Sequence, residues 1–508
     1  NFMYILSMAG TIGMFFAQDF ITLFIFWETV VWSSTFIIQL GKSRKASYVY
    51  YVISAVGSMA TLFAIMLAYS VSGTFVISEA FAGLSGGMAI AVFFTFILSG
   101  LAKIGIFPFH VWLPEAHGSA PHTFSPVLSG GLVKMGAFVA FLSVTAFPAY
   151  KVFGNIFKVM GTPAPIYLLM ALGAISIIVG TLMAIKQEDA KRLLAYSSVA
   201  NGGYILIGIL MLDQVGFAGG MMHLINHAVA SAAAFLAIAA VAYRTGTTKM
   251  SEMGGMIHRM PVTYLVYLIA IISMAGIPPM GGFVSKWLIF QGLADKGMLF
   301  LAAAAFFGSI GSFLYVFRPL SAVFLGQTFT RDLKKKEVGF FMMLPMLILT
   351  LLSLLTGVFP NIFLRVITEI QASAGIDPVT LAERTIVTAN GYLDAFRVFI
   401  VFGFGFAIAF VIFIVRRKSR KVELMDTFTS AEFIHTRELL HYSHNFYAPF
   451  ERLYKNAPDT MKLYHKISVK IREAGRLVES LFYGHKPERT VFWVMAVGIL
   501  AVLIGGVV

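Results

Sequence analysis

The chain is dominated by a succession of about thirteen windows of about 20 mainly apolar residues, each long enough to cross the hydrocarbon core of a bilayer as a helix. They fall at 2–17, 19–40, 46–71, 88–107, 123–147, 164–185, 189–212, 217–243, 261–293 (interrupted), 298–325, 337–359, 392–416 and 490–507. Only 12% of residues are charged, against roughly 25% in a soluble domain, so the chain cannot wet a globular surface. A soluble enzyme, a nucleic-acid binder and a disordered protein are excluded, even though the net charge is +14. With zero Cys, disulfides, thiolate iron–sulfur ligation and Cys-based zinc sites are excluded as well. The expected fold is an all-α polytopic membrane protein, and any redox chemistry belongs to another subunit.

Basic residues orient the spans, because cytoplasmic loops of membrane proteins carry an excess of Lys and Arg. One alternate set of loops holds Lys42, Arg44 and Lys45, then Lys186, Lys191 and Arg192, then Arg244, Lys249 and Arg259, then Arg318 and the 331–336 cluster. The same side holds the dense positive charge of 416–489. The opposite loops have only Lys151, Lys158, Lys296, Arg365, Arg384 and Arg397. The basic side is therefore expected to face the cytoplasm. The chain opens on Asn1 without a Met and enters an apolar span at once. No signal peptide with a basic leader is legible, and an N-terminal part is expected to be missing.

Four charges remain well inside spans: Glu28, Lys103, Lys134 and Lys286. Each costs about 2.5–3.5 kcal/mol at the bilayer centre on insertion scales. They must face the bundle interior, pair with one another, or line a hydrated path. Structural ion pairs are the plain alternative to an ion pathway. The backbone carries a second signal. Gly105-Ile106-Phe107-Pro108 cuts one span just after Lys103, and Ala275-Gly276-Ile277-Pro278-Pro279-Met280-Gly281-Gly282 cuts another just before Lys286. Such breaks are tolerated at membrane depth only where protein or a watery cavity satisfies the freed backbone groups. The two lie five spans apart, an odd offset that reverses orientation. Paired interruptions in two inverted halves mark a transporter core.

The run from Gly100 to Ala116, Gly-Leu-Ala-Lys-Ile-Gly-Ile-Phe-Pro-Phe-His-Val-Trp-Leu-Pro-Glu-Ala, resembles the signature of the antiporter-like subunits of respiratory complex I. Membrane-bound hydrogenases, formate hydrogenlyases and Mrp-type sodium/proton antiporters share this family. Further matches are Trp27-Glu28, the run Ala190-Lys191-Arg192-Leu193-Leu194-Ala195-Tyr196-Ser197-Ser198, Asn226-His227-Ala228, and Gly281-Gly282-Phe283-Val284-Ser285-Lys286. The resemblance covers nearly the whole chain, with the first few family helices absent. It implies two inverted five-helix repeats, each with a broken helix and half a proton channel. It also implies that Glu28 pairs with Lys103, that Lys134 carries the proton next, that His227 is a central relay, and that Lys286 serves the second half-channel. Lys191 belongs near the cytoplasmic start of its helix as an entry or relay group.

The chemistry is reasonable on its own terms. Burial disfavours the charged form of a lysine and a nearby carboxylate restores it, so moving Glu28 relative to Lys103 would switch Lys103 between holding and releasing a proton. His223 and His227 lie four apart and share one helix face; they read as a proton relay, with a structural role open for His223. No Asp, Glu or Cys accompanies the pair, so no metal site is expected, and no cofactor either. Several relatives carry a Lys near Ser231, which points here to a relay of histidine and water. His110, His117 and His122 flank the proline-rich connection after Lys103. They fit proton entry, His110 foremost, or loop residues shaped by Pro114 and Pro121.

Residues 417–489 change character, with dense mixed charge and His435, His441, His444, His465 and His485. From about Asp459 to Tyr483 apolar residues recur at helical spacing with basic residues between them, the pattern of an interfacial helix. This resembles the lateral helix of the distal complex I subunit and its hydrogenase relatives; a solvated stretch on lipid headgroups is the alternative. The expected organisation is a truncated first helix (1–17), an antiporter-like core (18–325), C-terminal spans (326–416), the lateral helix region (417–489) and a terminal anchor (490–508). The function implied is proton translocation in the cytoplasmic membrane of a prokaryote. Expected partners are other antiporter-like and small membrane subunits, the lipid bilayer, and a peripheral redox module with iron–sulfur or nickel–iron subunits, with no nucleic acid. An Mrp-type sodium/proton antiporter subunit without a redox partner, and a structural membrane subunit, are the alternatives.

Overall fold

The computed structural model describes residues 1–145, 153, 156–325 and 336–415, with a few positions between 465 and 476. Contacts divide the chain into Asn1–Phe446 and Tyr447–Val508. The lateral helix expected at 417–489 and the anchor expected at 490–508 lie outside the described residues, apart from those few positions.

The described chain is mostly helical. It runs α1 (Phe2–Phe15), α2 (Phe20–Gln39), α3 (Arg44–Ser72), the short α4 (Ile77–Ala82) and α5 (Gly86–Ile104). After the first break come α6 (Trp112–Ser119), α7 (Phe124–Val127) and α8 (Val133–Thr145), with a π-helical turn, Leu128–Leu132, between the last two. Then follow α9 (Ala164–Ile185), α10 (Ala190–Met211), α11 (Gln214–Thr245), α12 (Pro261–Ala275), α13 (Gly281–Asp295) and α14 (Leu299–Pro319). The last described helices are α15 (Phe340–Val358), α16 (Pro360–Ser373) and α17 (Ala395–Val415).

Nine helical stretches among the described residues are long and apolar enough to cross a membrane. They coincide with the expected spans from 19–40 through 217–243 and at 298–325 and 337–359. The first expected span is the 14-residue α1. The interrupted one is divided between α12 and α13, each of 15 residues. Short polar residues start the helices: Asp19 accepts from Thr22 N at 2.8 Å, Asp189 from Lys191 N at 2.9 Å, and Asp213 from Gly216 N at 2.6 Å.

Both breaks have one backbone design. α5 ends at Gly105 (φ +77°) and α12 at Gly276 (φ +79°), a left-handed conformation that glycine adopts without steric cost. In each, the following isoleucine N–H closes the turn at 3.1 Å, Ile106 onto Leu101 O and Ile277 onto Ile272 O. In each, a cis proline follows, Pro108 and Pro279. The two G-I-x-P runs produce the same turn.

Small residues set the helix spacing. A Cβ on Gly136 would lie 2.4 Å from Ile104 N and 2.5 Å from Gly100 O, so α8 and α5 touch through backbone. Gly208 and Gly220 bring α10 and α11 equally close.

One feature was not expected from the sequence. Between α15 and α17, in the connection between the expected spans 337–359 and 392–416, α16 and an antiparallel sheet of β3 (Thr380–Ala382), β4 (Thr385–Thr388) and β5 (Gly391–Asp394) form a cap. The hairpin Lys158–Val159 and Thr162–Pro163 supplies β1 and β2. Leu364, Ile367, Ile386 and Leu393 of the cap join Val215, Met222 and Leu288 of α11 and α13 in a buried apolar cluster. Gln214 donates to Pro378 O at 2.6 Å and Gln371 donates to Gln214 O at 2.7 Å, fastening the cap to the start of α11. A strand signal this short has too few alternations to stand out beside long apolar helices.

Candidate functional site: a line of buried lysines and histidines

Lys103, Lys134, His223, His227 and Lys286 are each only 2% exposed. Lys103 stands in the last turn of α5, where the helix dipole favours a cation. Its Nζ donates to Tyr50 Oη of α3 at 2.8 Å and lies 5.6 Å from the ring centre of Trp27 and 5.1 Å from that of Tyr50. Trp27 Nε1 in turn donates to Ser58 Oγ at 3.2 Å.

The expected Glu28–Lys103 ion pair is not formed. The reason is rotational. Successive helical residues turn by about 100°, so Trp27 and Glu28 cannot both face α5. Trp27 does; Glu28 falls on the stripe of Ile21, Ile25, Trp32 and Phe36, which are exposed large apolar residues. Its Oε1 is nevertheless buried without a hydrogen-bond partner among the described residues. Among the described residues no carboxylate forms an ion pair with Lys103, Lys134 or Lys286.

Lys134 follows directly on the π-helical turn, a type of distortion frequent at functional positions. Its Nζ lies 2.5 Å from Nδ1 of His227 on α11. Ser231 joins a hydroxyl cluster in which Ser129 of the π-turn lies 2.9 Å from Ser198 and 3.1 Å from Ser231. One turn before His227, His223 bonds Ser285 Oγ through Nδ1 at 2.9 Å and Asn201 Oδ1 through Nε2 at 3.0 Å. The two imidazole centres are 6.4 Å apart. His227 Nε2 has no hydrogen-bond partner among the described residues.

Lys286 is held by the second break itself. Its Nζ donates to Met274 O at 3.0 Å and Ala275 O at 3.1 Å, carbonyls that the end of α12 leaves without helical partners, and to Ser312 Oγ of α14 at 3.3 Å. Tyr204 presents its ring 5.0 Å away and lies 5.4 Å, ring to ring, from His223. Interrupting the helix therefore creates the acceptors that a buried ammonium needs.

Toward the basic end of the helices, Lys191 Nζ donates to Ala120 O at 2.8 Å. Arg192 pairs with Glu115, and Asp189 accepts from Thr248. His110 is buried and stacks on Phe107, ring centres 5.7 Å apart. His122 is half-buried, and its imidazole is pulled down from 6.5 to about 4, by burial first and then by Lys191 and Lys42, with Asp189 opposing. At the other end, burial raises the Asp213 carboxyl despite Lys296 Nζ at 3.9 Å.

The residue that sequence reasoning underrated is His117. It is fully buried, lies flat on Phe235 with ring centres 4.4 Å apart, and neither ring nitrogen has a hydrogen-bond partner among the described residues. In sequence it ranked behind His110 and level with His122, because the signal that marks it out is Phe235, 118 positions away. Tyr50, Asn201 and Ser285 were missed for the same reason.

Residues 17–312 match the membrane family described as NADH:quinone oxidoreductase/Mrp antiporter. NAD(P)H-quinone oxidoreductase chain 4 2 of Thermosynechococcus vestitus is 32% identical over 336 residues, 63% of this chain and 60% of that protein. Hydrogenase-4 component B of Escherichia coli is 36% identical over 303 residues, 57% of this chain and 44% of that protein. The chain thus spans less than two thirds of the length of either relative. Among solved structures, a chain of the membrane-bound sulfane sulfur reductase, an archaeal respiratory membrane complex, superposes with a TM-score of 0.85 at 30% identity, covering 98% of this chain and 83% of that one. With multiple apolar spans, two proline-broken helices and a family match across the lysine-bearing core, this multi-pass membrane protein belongs to the NADH:quinone oxidoreductase/Mrp antiporter family.

Proposed function

We propose that the chain is a proton-translocating, antiporter-like subunit of a multisubunit membrane respiratory complex of the complex I or membrane-bound hydrogenase type. Electron transfer on other subunits would drive protons through Glu28, Lys103, Lys134, His227, His223 and Lys286, with His110 and Lys191 at the entry. The observation that carries this reading is the Lys134–His227 contact at 2.5 Å, one helical turn from His223 and bridged by Tyr204 toward Lys286. Amines and imidazoles in a row, none locked to a carboxylate, can accept a proton and pass it on. Buried ring nitrogens without partners among the described residues, on His117 and His227, suit bridging by water.

In this reading the two broken helices belong to two inverted five-helix repeats, each a half-channel, within the 18–325 core. The basic helix ends face the cytoplasm of a prokaryote. The 417–489 segment runs laterally and clasps neighbouring membrane subunits, and a peripheral iron–sulfur or nickel–iron module supplies the electrons. The names of the similar proteins, a quinone oxidoreductase chain, a hydrogenase component and a respiratory complex, support a redox-coupled assembly.

The test is ion pumping by the intact complex in proteoliposomes, wild type beside Lys103→Ala, with electron transfer followed in parallel. Loss of pumping with slowed or uncoupled electron flow is the expected result. Pumping and electron flow both at wild-type levels would leave the structural-subunit alternative.

A further inference from the structure

Lys103 has an unusual partner for a buried ammonium. Its hydrogen bond within the protein goes to a phenol, Tyr50 Oη at 2.8 Å, while Glu28 faces elsewhere. Tyr50 is fully buried on α3, within a stripe of hydroxyl residues on one helix face, Ser47, Tyr50, Ser54, Ser58 and Thr61, all buried. Its ring is held edge-on by Trp112, centres 5.1 Å apart, and Trp112 Nε1 donates at 2.8 Å to the carbonyl of Ala102, next to Lys103. The ring therefore cannot drift from the lysine without disturbing the first helix break.

The hydrogen atoms can be assigned from chemistry alone. An ammonium only donates, so Tyr50 Oη accepts from Lys103. The phenol's own O–H then points to Ser34 Oγ, 2.5 Å away, and Ser34 donates to the carbonyl of Val30. The chain Lys103, Tyr50, Ser34, Val30 is ordered in one direction and ends on a backbone acceptor.

We propose that Tyr50 is a positioning residue that satisfies Lys103 in both of its protonation states. This rests on the reading of Lys103 as a proton carrier. With Lys103 as ammonium, Tyr50 accepts. When the ammonium gives its proton to the next carrier, Nζ keeps a lone pair, and the Tyr50 O–H swings from Ser34 Oγ to Nζ. Ser34 retains its bond to Val30 O, and Tyr50 neither gains nor loses a proton. Reprotonation of Lys103 reverses the swing. An ionised carboxylate in the same place could only accept, leaving the amine lone pair unmatched in an apolar site. Tyr50 thus keeps either form of Lys103 hydrogen-bonded.

The experiment uses the purified intact complex in proteoliposomes with Tyr50→Phe, Lys103→Ala and the double variant. Tyr50→Phe keeps the ring, its packing on Trp112 and the aromatic wall beside Lys103. Protons moved per electron-transfer turnover should drop by about tenfold, the scale of one hydrogen bond to a charged group. The double variant should be no worse than Lys103→Ala. A second readout is the infrared phenolic C–O band of Tyr50, identified as the wild-type minus Tyr50→Phe difference. It should shift between the resting and the turning-over wild-type complex and stay fixed in Lys103→Ala, because the O–H changes partner only when Lys103 changes protonation state; a merely structural tyrosine would show no such turnover-dependent shift. Wild-type pumping by Tyr50→Phe beside a failing Lys103→Ala overturns this proposal and leaves the proton-path reading standing. An unmoved band also overturns it. Wild-type pumping by Lys103→Ala overturns both.

Discussion

Lys134 Nζ lies 2.5 Å from Nδ1 of His227, so a residue just past a π-helical turn meets one at the middle of α11, 93 positions later in the chain. Both are buried, and among the described residues neither has a carboxylate to neutralise it. The contact ties the half of the bundle that holds Lys103 to the half that holds Lys286.

Replacing either member should break the same link. Lys134→Met and His227→Gln should each lower coupled pumping by about tenfold or more, and the double variant should do no worse than the poorer single one. Proton flux in proteoliposomes, normalised to electron transfer, measures this. Multiplying losses would mean that the two act independently.

Lys286→Met is expected to cost stability as well as pumping. It leaves the Met274 carbonyl of the α12 end without its ammonium, at about 1–3 kcal/mol for an unmet buried acceptor, while Ala275 O keeps the Ser309 hydroxyl at 3.3 Å. Thermal unfolding of the detergent-purified protein should move down by several degrees. An unchanged melting temperature would show that this carbonyl finds another donor.

Gly136→Ala forces a methyl to within 2.4 Å of Ile104 N and 2.5 Å of Gly100 O, backbone atoms that cannot step aside. It should destabilise by about 1–3 kcal/mol or more and reduce the yield of assembled protein. Gly87→Ala, on the same α5 but with nothing within 4 Å of the new methyl, should be neutral or slightly stabilising. Equal melting temperatures for the two variants would contradict the close α5–α8 contact.

His122 makes stability depend on acid. It is neutral in the folded protein down to about pH 4, whereas in the unfolded chain it protonates below about 6.5. The unfolded state therefore binds more protons between those values, and stability falls as pH drops through that window. Because the ring is half-exposed, solvent screening limits the effect to about 1–2 kcal/mol. His122→Asn should lose less melting temperature than wild type between pH 7 and pH 4.5. An identical pH slope would mean that other groups control the acid limb.

Much of this protein was legible in one dimension because the responsible forces are local. A window of about 20 apolar residues has few alternatives to a spanning helix. Glycine and proline break a helix where they stand, so the turns at Gly105 and Gly276 followed from their own G-I-x-P runs. A lysine in such a window must be buried with partners, whatever they are, and Lys103, Lys134 and Lys286 are.

Which partners they take was decided only in three dimensions. A rotation of about 100° per residue turned Trp27 toward Lys103 and Glu28 away from it, and the hydroxyl came from Tyr50 on another helix. Lys134 reached His227 because α8 approaches α11 past small residues and a π-turn. Lys286 took its bonds from backbone carbonyls, which every residue carries and no sequence pattern marks. The cap of α16 and β3–β5 owes its place to the buried faces of α11 and α13. Spans, breaks and charges follow from the free energy of each segment in its solvent. Pairings follow from helix rotation and close approach, which only the packing of the whole bundle sets.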